Sequence, residues 1–346
     1  MTKNIVIIGA GSAAKLHYHT SKRVDGMQVM GVVGRDQKQT EAISGELEIG
    51  YRWASVNDVL LDDDVDGVVL AIPPFEIAKV AIAAFAARKH VLSEKPLGIG
   101  VDQAQQVAAA WEQSGCVGMI NYCYRHHPLL REFRRLIDER ICCDLNLLDI
   151  RWTLPTRLNA NLTDHWKGRR ELGGGVLQNY GVHLLDYLFS GEPDVKCLSA
   201  VQRRVFKHRP NNEGKLVEST GDESTTALID WKGVPIQIHL SMVTKVGAGL
   251  QMRAEGTKGT LEFEELYRGK PEQSSRLTFR DGSEDEKIIM EEHGVALLPA
   301  FLFQESQKRF INEINGIKND GQKNIRQAVD VAKMIERIQN LAAYAS

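Results

Sequence analysis

Short apolar runs alternate with amphipathic stretches over the first 120 residues of the chain. The stretches at 75–87 and 101–113 have the spacing of helices that bury one face. Strand–helix alternation of this kind predicts a parallel, doubly wound sheet, whose strands are continuous apolar runs because helices cover both faces. The predicted strands are residues 5–8, 29–33, 65–71, 90–92 and 117–120.

The pattern changes after residue 122, where longer β-like runs begin. Turn sequences such as "KGVP" and "GTKG" separate these runs and favour a mostly antiparallel sheet. We therefore predict an α/β Rossmann domain over residues 1–122 and an α+β domain over residues 123–346. The second domain is predicted to have strands at 145–154, 196–206, 225–231, 235–242, 251–255 and 259–264, helices near 128–139, 172–189, 297–317 and 325–343, and a surface loop at 209–221.

Size and charge favour an ordinary two-domain protein. The chain has 346 residues and a formal net charge of −2, which gives no reason to expect binding to nucleic acid or to an anionic membrane. No segment approaches the roughly 18 apolar residues of a membrane span. The five cysteines form no CxxC pair, so neither a disulfide framework nor a zinc site is predicted. We expect a protein of the reducing cytoplasm.

A glycine-rich turn follows the first predicted strand. In "IVIIGAGSAAKLH", Gly9, Gly11 and Ala14 form a GxGxxA pattern between a strand and a helix. Gly9 permits a tight turn, Gly11 permits close approach of a pyrophosphate, and the helix that begins at Ser12 and Ala13 directs its N-terminus at the phosphates. This context predicts a dinucleotide site, the alternative being a turn without a ligand.

The end of the second strand bears on the choice of cofactor. NAD-selective sites usually have an acidic residue there to bind the ribose 2′-hydroxyl. In this chain Gly34 leaves room for a phosphate, and Arg35 can pair with that phosphate. We therefore predict NADP rather than NAD, although Asp36 could still accept a bond from a hydroxyl.

Two further strands run into "AIPP" and "SEKP" at the carboxyl edge of the predicted sheet, where ligands bind in open α/β folds. Partial burial would let Lys95 exchange a proton near neutral pH. The alternative is a solvated lysine that closes a turn. Pro96 predicts an unusual turn, for which a cis peptide bond is one explanation. The candidate cofactor contacts at this edge are Ile72, Pro73, Glu94 and Lys95.

The motifs "GAGSAAKLH", "AIPP", "KHVLSEKPL" and "GGGVLQNYGVHLLDYL", in this order, resemble the Gfo/Idh/MocA oxidoreductases, relatives of glucose–fructose oxidoreductase and inositol dehydrogenase. The resemblance spans nearly the whole chain. It implies a Rossmann domain, a C-terminal domain with a large open antiparallel sheet, a nicotinamide cofactor, and a sugar, polyol or nucleotide-sugar substrate. It also implies that Lys95 lies by the nicotinamide and the substrate.

The predicted helix after Gly173–Gly175 carries a second group of polar residues. Asn179 and His183 are four residues apart and therefore share a helix face. His183 is either a core histidine or an acid/base group, and the resemblance implies the latter. Many relatives have aspartate where this chain has Asn179, and an amide can only position a hydroxyl or the imidazole. This departure weakens the inference of inositol dehydrogenase activity. Asparagine at this place resembles some nucleotide-sugar dehydrogenases of the family. Asp186 is predicted to be structural.

The resemblance also implies roles for residues near these motifs. Asn121 and Tyr124 follow the last Rossmann strand, and Trp166 belongs to a tryptophan–basic segment that approaches the cofactor in relatives. Lys167, Arg169 and Arg170 either meet an anion or form a solvated loop. His126 and His127 either line the pocket or lie on the surface, and without a third partner they predict no metal site.

We expect a reversible hydride transfer between nicotinamide and a carbinol carbon. His183 is expected to remove the hydroxyl proton while Lys95 hydrogen-bonds the same oxygen, although the two roles could be exchanged. A nicotinamide-binding regulator without catalysis and a reductase of a non-carbohydrate carbonyl stay open as alternatives. An open sheet face predicts a homodimer or homotetramer through the C-terminal sheet.

Overall fold

Five parallel strands and their helices form the first of two units in the computed structural model. The structure describes residues 1–50, 52–192, 195–265, 274–283, 287–293, 298–317 and 325–345. Unit 1 comprises Met1–Cys123 and Ala300–Lys333, and unit 2 comprises Tyr124–Pro299 and Met334–Ser346. Within the described ranges, every helix is too short or too polar to span a bilayer.

The strands are β1 (Lys3–Ile8), β2 (Met27–Val33), β3 (Gly67–Leu70), β4 (His90–Ser93), β5 (Gly118–Ile120), β6 (Leu145–Thr153), β7 (Val195–Arg203), β8 (His208–Pro210), β9 (Leu216–Glu218), β10 (Ser224–Trp231), β11 (Val234–Ser241), β12 (Gly249–Gly256), β13 (Gly259–Glu265), β14 (Ser274–Arg280), β15 (Lys287–His293) and β16 (Ala342–Ala345). The helices are α1 (Ser12–Ser21), α2 (Gln37–Glu46), α3 (Val56–Leu61), α4 (Pro74–Ala86), α5 (Val101–Ser114), α6 (Pro128–Asp138), α7 (Val182–Phe189), α8 (Leu298–Ile314) and α9 (Ile325–Leu341).

The sheet of unit 1 has the strand order β2-β1-β3-β4-β5, and all neighbouring strands are parallel. Strand β3 is buried along its whole length, as expected for a parallel strand covered on both faces. The order reverses beside β1, which places the glycine turn after β1 at the switch point of the sheet. The predicted Rossmann sheet is confirmed.

Helix α8 contributes to the core of unit 1, although it follows the second domain in sequence. Phe310 and Ile311 are buried in one apolar cluster with Ile5, Tyr18 and Met27. The predicted boundaries assign all of residues 123–346 to the second domain, whereas the structure groups 300–333 with unit 1. The apolar side of α8, which packs on the first strands, explains this grouping.

Unit 2 contains a nine-stranded sheet in the order β15-β14-β13-β12-β6-β11-β10-β7-β16. The pairs β6–β11 and β7–β16 are parallel, and the others are antiparallel. The predicted large, mostly antiparallel sheet is therefore confirmed. Strand β6 lies in its middle, with Leu148, Ile150 and Trp152 buried on one face, as expected for the alternation of an antiparallel sheet with one covered face.

Three details of unit 2 differ from the sequence prediction. The predicted surface loop contains the hairpin of β8 and β9, and its Arg209 is fully buried on Glu223. Strands β14 and β15 were not predicted, because charged residues interrupt their apolar pattern. Helix α9 ends at Leu341, and the following residues form β16 rather than another helical turn. Residue 297, the predicted start of α8, lies outside the described residues.

Helix α6 begins at Pro128, a residue suited to the first helical position. His127 precedes it and caps the helix: its Nδ1 accepts a hydrogen bond from the backbone N–H of Leu129, at 3.2 Å. The His127 ring is fully buried and packs edge-on against Phe263. Burial lowers the pKa of His127 to about 4. His126 is buried as well, so neither histidine is a surface residue.

The burial of His127 predicts a pH-dependent stability. The unfolded chain takes up a proton on this imidazole near pH 6.5, whereas the folded protein does so only near pH 4. Stability from this group is therefore complete above pH 6.5 and is lost as the pH falls towards 4, by about 3 kcal/mol in total. His127→Asn, which keeps a capping side chain, should flatten the pH dependence of the unfolding free energy in urea between pH 7 and 4.5. The exposed His19→Asn serves as control, and equal slopes in the two variants would contradict this account.

Candidate functional site

In unit 1 the hydrogen-bond ladder of the sheet continues one residue beyond the strand ends. The backbone N–H of Ala71 donates to Ile8, that of Glu94 donates to Leu70, and that of Asn121 donates to Ser93, at 2.7–2.8 Å. The chain segments that follow β3, β4 and β5 are therefore fixed side by side at the carboxyl edge. Because ligands bind at this edge in open α/β sheets, the candidate residues of the first domain lie where such a site is expected.

The glycine turn shows two different needs for glycine. A Cβ on Gly9, which has φ +131°, would lie 2.2 Å from the carbonyl oxygen of Ala71, so the turn requires glycine at this position for packing. A Cβ on Gly11 would meet no atom within 4 Å. The fold itself therefore sets no steric limit at Gly11, which is the position where a ligand has to approach the backbone.

Helix α1 begins beyond Gly11 without a side-chain cap. The first-turn N–H groups, including those of Ser12 and Ala13, are available to an anion at the positive end of the helix. Together with the open space at Gly11, this arrangement fits the pyrophosphate of a nicotinamide dinucleotide. Gly11, Ser12 and Ala13 are the residues that would hold it.

The space that the sequence predicted at Gly34, after the end of β2, is filled by a side chain. The side chain of Gln39 covers Gly34: a Cβ there would be 2.9 Å from Gln39 Oε1, which accepts the N–H of Arg35. Asp36 caps α2 by accepting the N–H of Gln39. Arg35 projects outward, with its side chain 84% exposed and one guanidinium nitrogen 3.5 Å from Asp36. The carboxylate is thus engaged in the cap, and the guanidinium is accessible.

The turns that follow β3 and β4 contain the remaining candidates of unit 1. Ile72 and Pro73 are half-buried before α4, which begins at Pro74. Lys95 is partly exposed directly after the anchored Glu94. The bond between Lys95 and Pro96 is cis, as the sequence suggested. An ammonium group therefore stands at the carboxyl edge of the sheet.

Glu94 is held by a network that the sequence did not reveal. Its Oε1 accepts hydrogen bonds from His17 Nε2 at 3.0 Å and from Asn121 Nδ2 at 2.6 Å. Burial alone raises the pKa of Glu94, but the His17 bond, the Lys95 ammonium and the Asn121 bond together lower it below its usual value. The carboxylate is therefore ionised at neutral pH. The GxGxxA helix contains His17, but only the three-dimensional fold brings it to Glu94.

In unit 2 the three glycines allow close packing against two other segments. A Cβ on Gly174 would lie 2.3 Å from the carbonyl oxygen of Trp166, and one on Gly175, at φ +105°, would lie 2.0 Å from Asp222 Oδ1. The backbone N–H of Gly175 donates to Lys167. Asp222 Oδ2 accepts the N–H of Leu177 at 3.1 Å. The turn therefore joins the Trp166 segment to the start of the helix that carries the candidate catalytic residues.

This helix differs from the regular one predicted for residues 172–189. The left-handed Gly173 and Gly175 delay its start, residues Leu177–Gly181 form a π-helix, and α7 follows. Asn179 is buried, and its Nδ2 donates to the carbonyl oxygen of Gly175 at 2.7 Å. The prediction that Asn179 and His183 share a face assumed the i,i+4 spacing of a regular α-helix. The π-helical segment changes that spacing. Such segments occur frequently at functional sites.

His183 lies in an aromatic cluster of unit 2. Its ring centroid is 5.1 Å from that of Tyr124 and 6.3 Å from that of Trp152, a residue of β6. Asp186 is fully buried and forms a two-point ion pair with Arg125, the neighbour of Tyr124, which supports its structural interpretation. This pair fixes the Tyr124 segment to α7. Trp152 was missed in the sequence because it lies in an ordinary alternating strand.

The basic segment after Trp166 is mostly engaged within unit 2. Arg169 donates to Asp164 at 2.7 Å, and Arg170 donates to the hydroxyl of Tyr344 at 2.6 Å. Lys167 lies over the Trp166 ring at 5.6 Å. The pKa of Lys167 is lowered, mainly by burial and to a smaller extent by the charge of Arg157. Both arginines therefore have protein partners within unit 2, and the two interpretations of this segment stay predictions.

Comparison with known families agrees with this geometry. Residues 3–122 match the oxidoreductase family with an NAD-binding Rossmann fold, and residues 130–262 match the GFO/IDH/MocA C-terminal domain. The chain belongs to the GFO/IDH/MocA oxidoreductase family. The resemblance stated from the sequence motifs is thereby confirmed.

Relatives within the GFO/IDH/MocA family differ in what they act on. An uncharacterized oxidoreductase of Synechocystis sp. is 27% identical over 270 residues, covering 75% of this chain and 72% of the relative. A dTDP-3,4-didehydro-2,6-dideoxy-α-D-glucose 3-reductase of Actinomadura kijaniata is 31% identical over 172 residues, covering 49% of this chain and 48% of the relative. A solved levoglucosan dehydrogenase in complex with NADH and L-sorbose has a TM-score of 0.85 at 17% identity, covering 98% of this chain and 96% of that one. This last likeness shows the shared fold.

Proposed function

We propose that this protein transfers hydride between a nicotinamide cofactor and a carbinol or carbonyl carbon of a sugar, polyol or nucleotide sugar. One observation carries the proposal: the ammonium of Lys95 follows the anchored Glu94 at the same sheet edge as the open glycine turn. A cation at the cofactor edge is suited to stabilise negative charge that develops on a substrate oxygen. The cofactor, when bound, supplies the hydride acceptor or donor.

The protein residues supply position and proton transfer in this proposal. Lys95 donates a hydrogen bond to the reacting oxygen, and His183 takes up the hydroxyl proton in the oxidative direction. The contacts of His183 with Tyr124 and Trp152 restrict the orientation of its ring. Tyr124 is also proposed to contact substrate, and Trp166 the cofactor. Ile72, Pro73, Glu94 and Asn121 complete the proposed cofactor contacts.

Asn179 bears on the substrate class. Its Nδ2 donates one hydrogen bond to the carbonyl oxygen of Gly175, and an amide can position a substrate hydroxyl or the imidazole but cannot act as a base. It has no proton to exchange near neutral pH. We propose a nucleotide sugar as the preferred substrate class, with support from the Actinomadura relative that acts on a dTDP sugar.

The first prediction from this proposal concerns turnover. One correctly placed acid/base group contributes about 10²–10⁴-fold, so Lys95→Ala and His183→Ala should each lose kcat on that scale. Cofactor binding, followed by fluorescence titration, should persist in both variants. Exposed residues supply matched controls, Lys79→Ala and His19→Ala, which should keep wild-type rates.

A spectrophotometric screen of nicotinamide reduction or oxidation with sugars and nucleotide sugars is the assay for these variants. Full activity in both Lys95→Ala and His183→Ala would remove the assignment. If the wild type binds cofactor tightly but turns over no sugar, nucleotide sugar or simple carbonyl, the alternative of a non-catalytic, nicotinamide-binding regulator is favoured. Turnover confined to non-carbohydrate carbonyls would favour the reductase alternative.

The cofactor preference gives a separate prediction. We propose NADP over NAD because Arg35 is accessible while Asp36 is engaged in its helix cap. Arg35→Ala should weaken NADPH binding by about 10–100-fold, the value of one hydrogen bond to a charged group, and leave NADH binding nearly unchanged. Lys38→Ala, which removes another exposed cation three residues further along the chain, is the control. Tighter binding of NADH than of NADPH by the wild type would refute the preference.

We also propose that a second copy covers the open face of the large sheet. Oppositely charged side chains alternate there in the pairs Arg151–Asp149, Arg253–Glu262 and Arg276–Glu264, so the face is self-complementary in charge. Val201 and Leu228 add exposed apolar area on β7 and β10.

Sedimentation velocity at micromolar concentration should show a dimer or tetramer for the wild type. The double variant Val201→Lys/Leu228→Lys should shift the protein towards the monomer, because it places two like charges from each copy in the contact. The double variant Leu61→Lys/Val246→Lys changes exposed apolar residues elsewhere and should not shift it. A monomeric wild type would contradict the proposal.

A further inference from the structure

A chain of three side chains in unit 1 connects α8 to the residue before Lys95. Gln307 of α8 contacts His17 of α1, and His17 contacts Glu94 after β4. Gln307 and His17 are fully buried, and the Glu94 side chain is 12% exposed. None of the expected cofactor or substrate contacts includes Gln307 or His17. We call these three residues the Gln307–His17–Glu94 chain.

The direction of each hydrogen bond in this chain follows from one carbonyl group. Gln307 Nε2 is 2.8 Å from the backbone oxygen of His17, an atom that can only accept, so the amide NH₂ must face it. The amide oxygen then faces the hydroxyl of Thr20 at 2.8 Å, and the one proton of this hydroxyl is shared with the backbone oxygen of Leu16, also at 2.8 Å. The opposite amide orientation would bring two carbonyl oxygens together.

The same amide group determines which ring nitrogen of His17 carries the proton. Gln307 Nε2 is also 3.3 Å from His17 Nδ1, so Nδ1 acts as acceptor. The proton therefore resides on Nε2, which is 3.0 Å from Glu94 Oε1 and donates to it. A buried amide 290 residues away in the sequence thus selects the imidazole tautomer that can serve the carboxylate.

We propose that Gln307 and His17 are positioning residues that keep the carboxylate of Glu94 ionised and oriented beside Lys95. The groups that face Glu94 are His17 from α1, Asn121 from the end of β5, and its own neighbour Lys95. Helix α8 faces His17 with two uncharged residues, Phe303 and Gln307. No other titratable side chain in the described part of the chain takes part in this network.

The Glu94 carboxylate, which this chain holds, belongs to the residue directly before Lys95, whose ammonium group the proposed function uses. The negative charge of Glu94 attracts the ammonium of Lys95, which suits Lys95 to donate a hydrogen bond to the reacting oxygen rather than to act as the base. The proton carrier is then His183. This inference rests on the proposed function for its activity readout only, because the state of Glu94 can be measured without turnover.

The decisive measurement is a carboxylate titration by ¹³C NMR on full-length protein labelled at glutamate Cδ, with the Glu94 resonance assigned from Glu94→Gln. In the wild type this resonance should keep its ionised position down to the ordinary glutamate value of 4.5. In His17→Leu, which removes one donor to a buried carboxylate, the midpoint should rise by about one to two pH units. An unchanged midpoint would overturn the proposal.

Two milder variants keep the proposal testable if His17→Leu fails to fold. His17→Gln retains a donor and should restore most of the wild-type titration. Gln307→Met keeps the side-chain length but lets the imidazole proton move to Nδ1, so it should raise the midpoint by less than His17→Leu does. Gln304→Met, one turn earlier on α8 where the side chain makes an exposed bond to the backbone of Arg23, is the control and should not shift the midpoint. Equal titrations of Gln307→Met and Gln304→Met would remove Gln307 from the chain.

The activity readout separates positioning from mere stabilisation. The acidic limb of the kcat profile should move to higher pH in His17→Leu in step with the Glu94 midpoint, and His17→Gln should move it back. A loss of thermal stability with an unmoved profile would mean that the chain is only structural. If the Glu94 midpoint shifts as expected but activity at every pH is independent of it, the hydrogen-bond chain stands and the proposed function of Lys95 at this edge fails.

Discussion

The candidate site of unit 1 depends on the sheet ladder that continues past the ends of its strands. Hydrogen bonds from the N–H groups of Ala71, Glu94 and Asn121 fix three loop residues as firmly as strand residues, although their side chains already lie outside the sheet. Loops generally provide function at the expense of rigidity. Here the backbone of the first residue of each loop is held like that of a strand residue, so the spacing of these three residues follows the strand spacing.

Each unit buries a carboxylate at its candidate site, but the two are stabilised differently. Glu94 has a histidine, an amide and an ammonium around it, and its pKa is lowered despite burial. Asp222 has a threonine hydroxyl and backbone N–H groups, which do not offset burial, and its pKa is raised. The first environment favours a permanent anion. The second anchors a turn, because Asp222 is bonded to the N–H of Leu177 and fills the space that a Cβ on Gly175 would occupy.

The sequence predicted the features that depend on local pattern. The Rossmann strands, the glycine turn and the cis-proline turn follow from apolar runs and from glycine and proline positions. Contacts over long sequence separations were not predictable: His17 reaches Glu94, and α8 joins unit 1, only through the fold. The π-helical segment around Asn179 was missed as well, because Asp222, which bonds to the N–H of Leu177 at its start, is distant in sequence.

The two oxygens of Glu94 have different environments, which explains how one residue can be both fixed and available. Oε1 accepts hydrogen bonds from both side-chain donors, His17 Nε2 and Asn121 Nδ2. Oε2 forms no hydrogen bond with the described part of the chain, and the side chain retains 12% exposure. Because both donors act on one oxygen, they fix the carboxylate plane without using the second oxygen. An ionised acceptor is thereby presented at the carboxyl edge at no cost of reorganisation, which is the condition under which a fixed charge is most effective in a site.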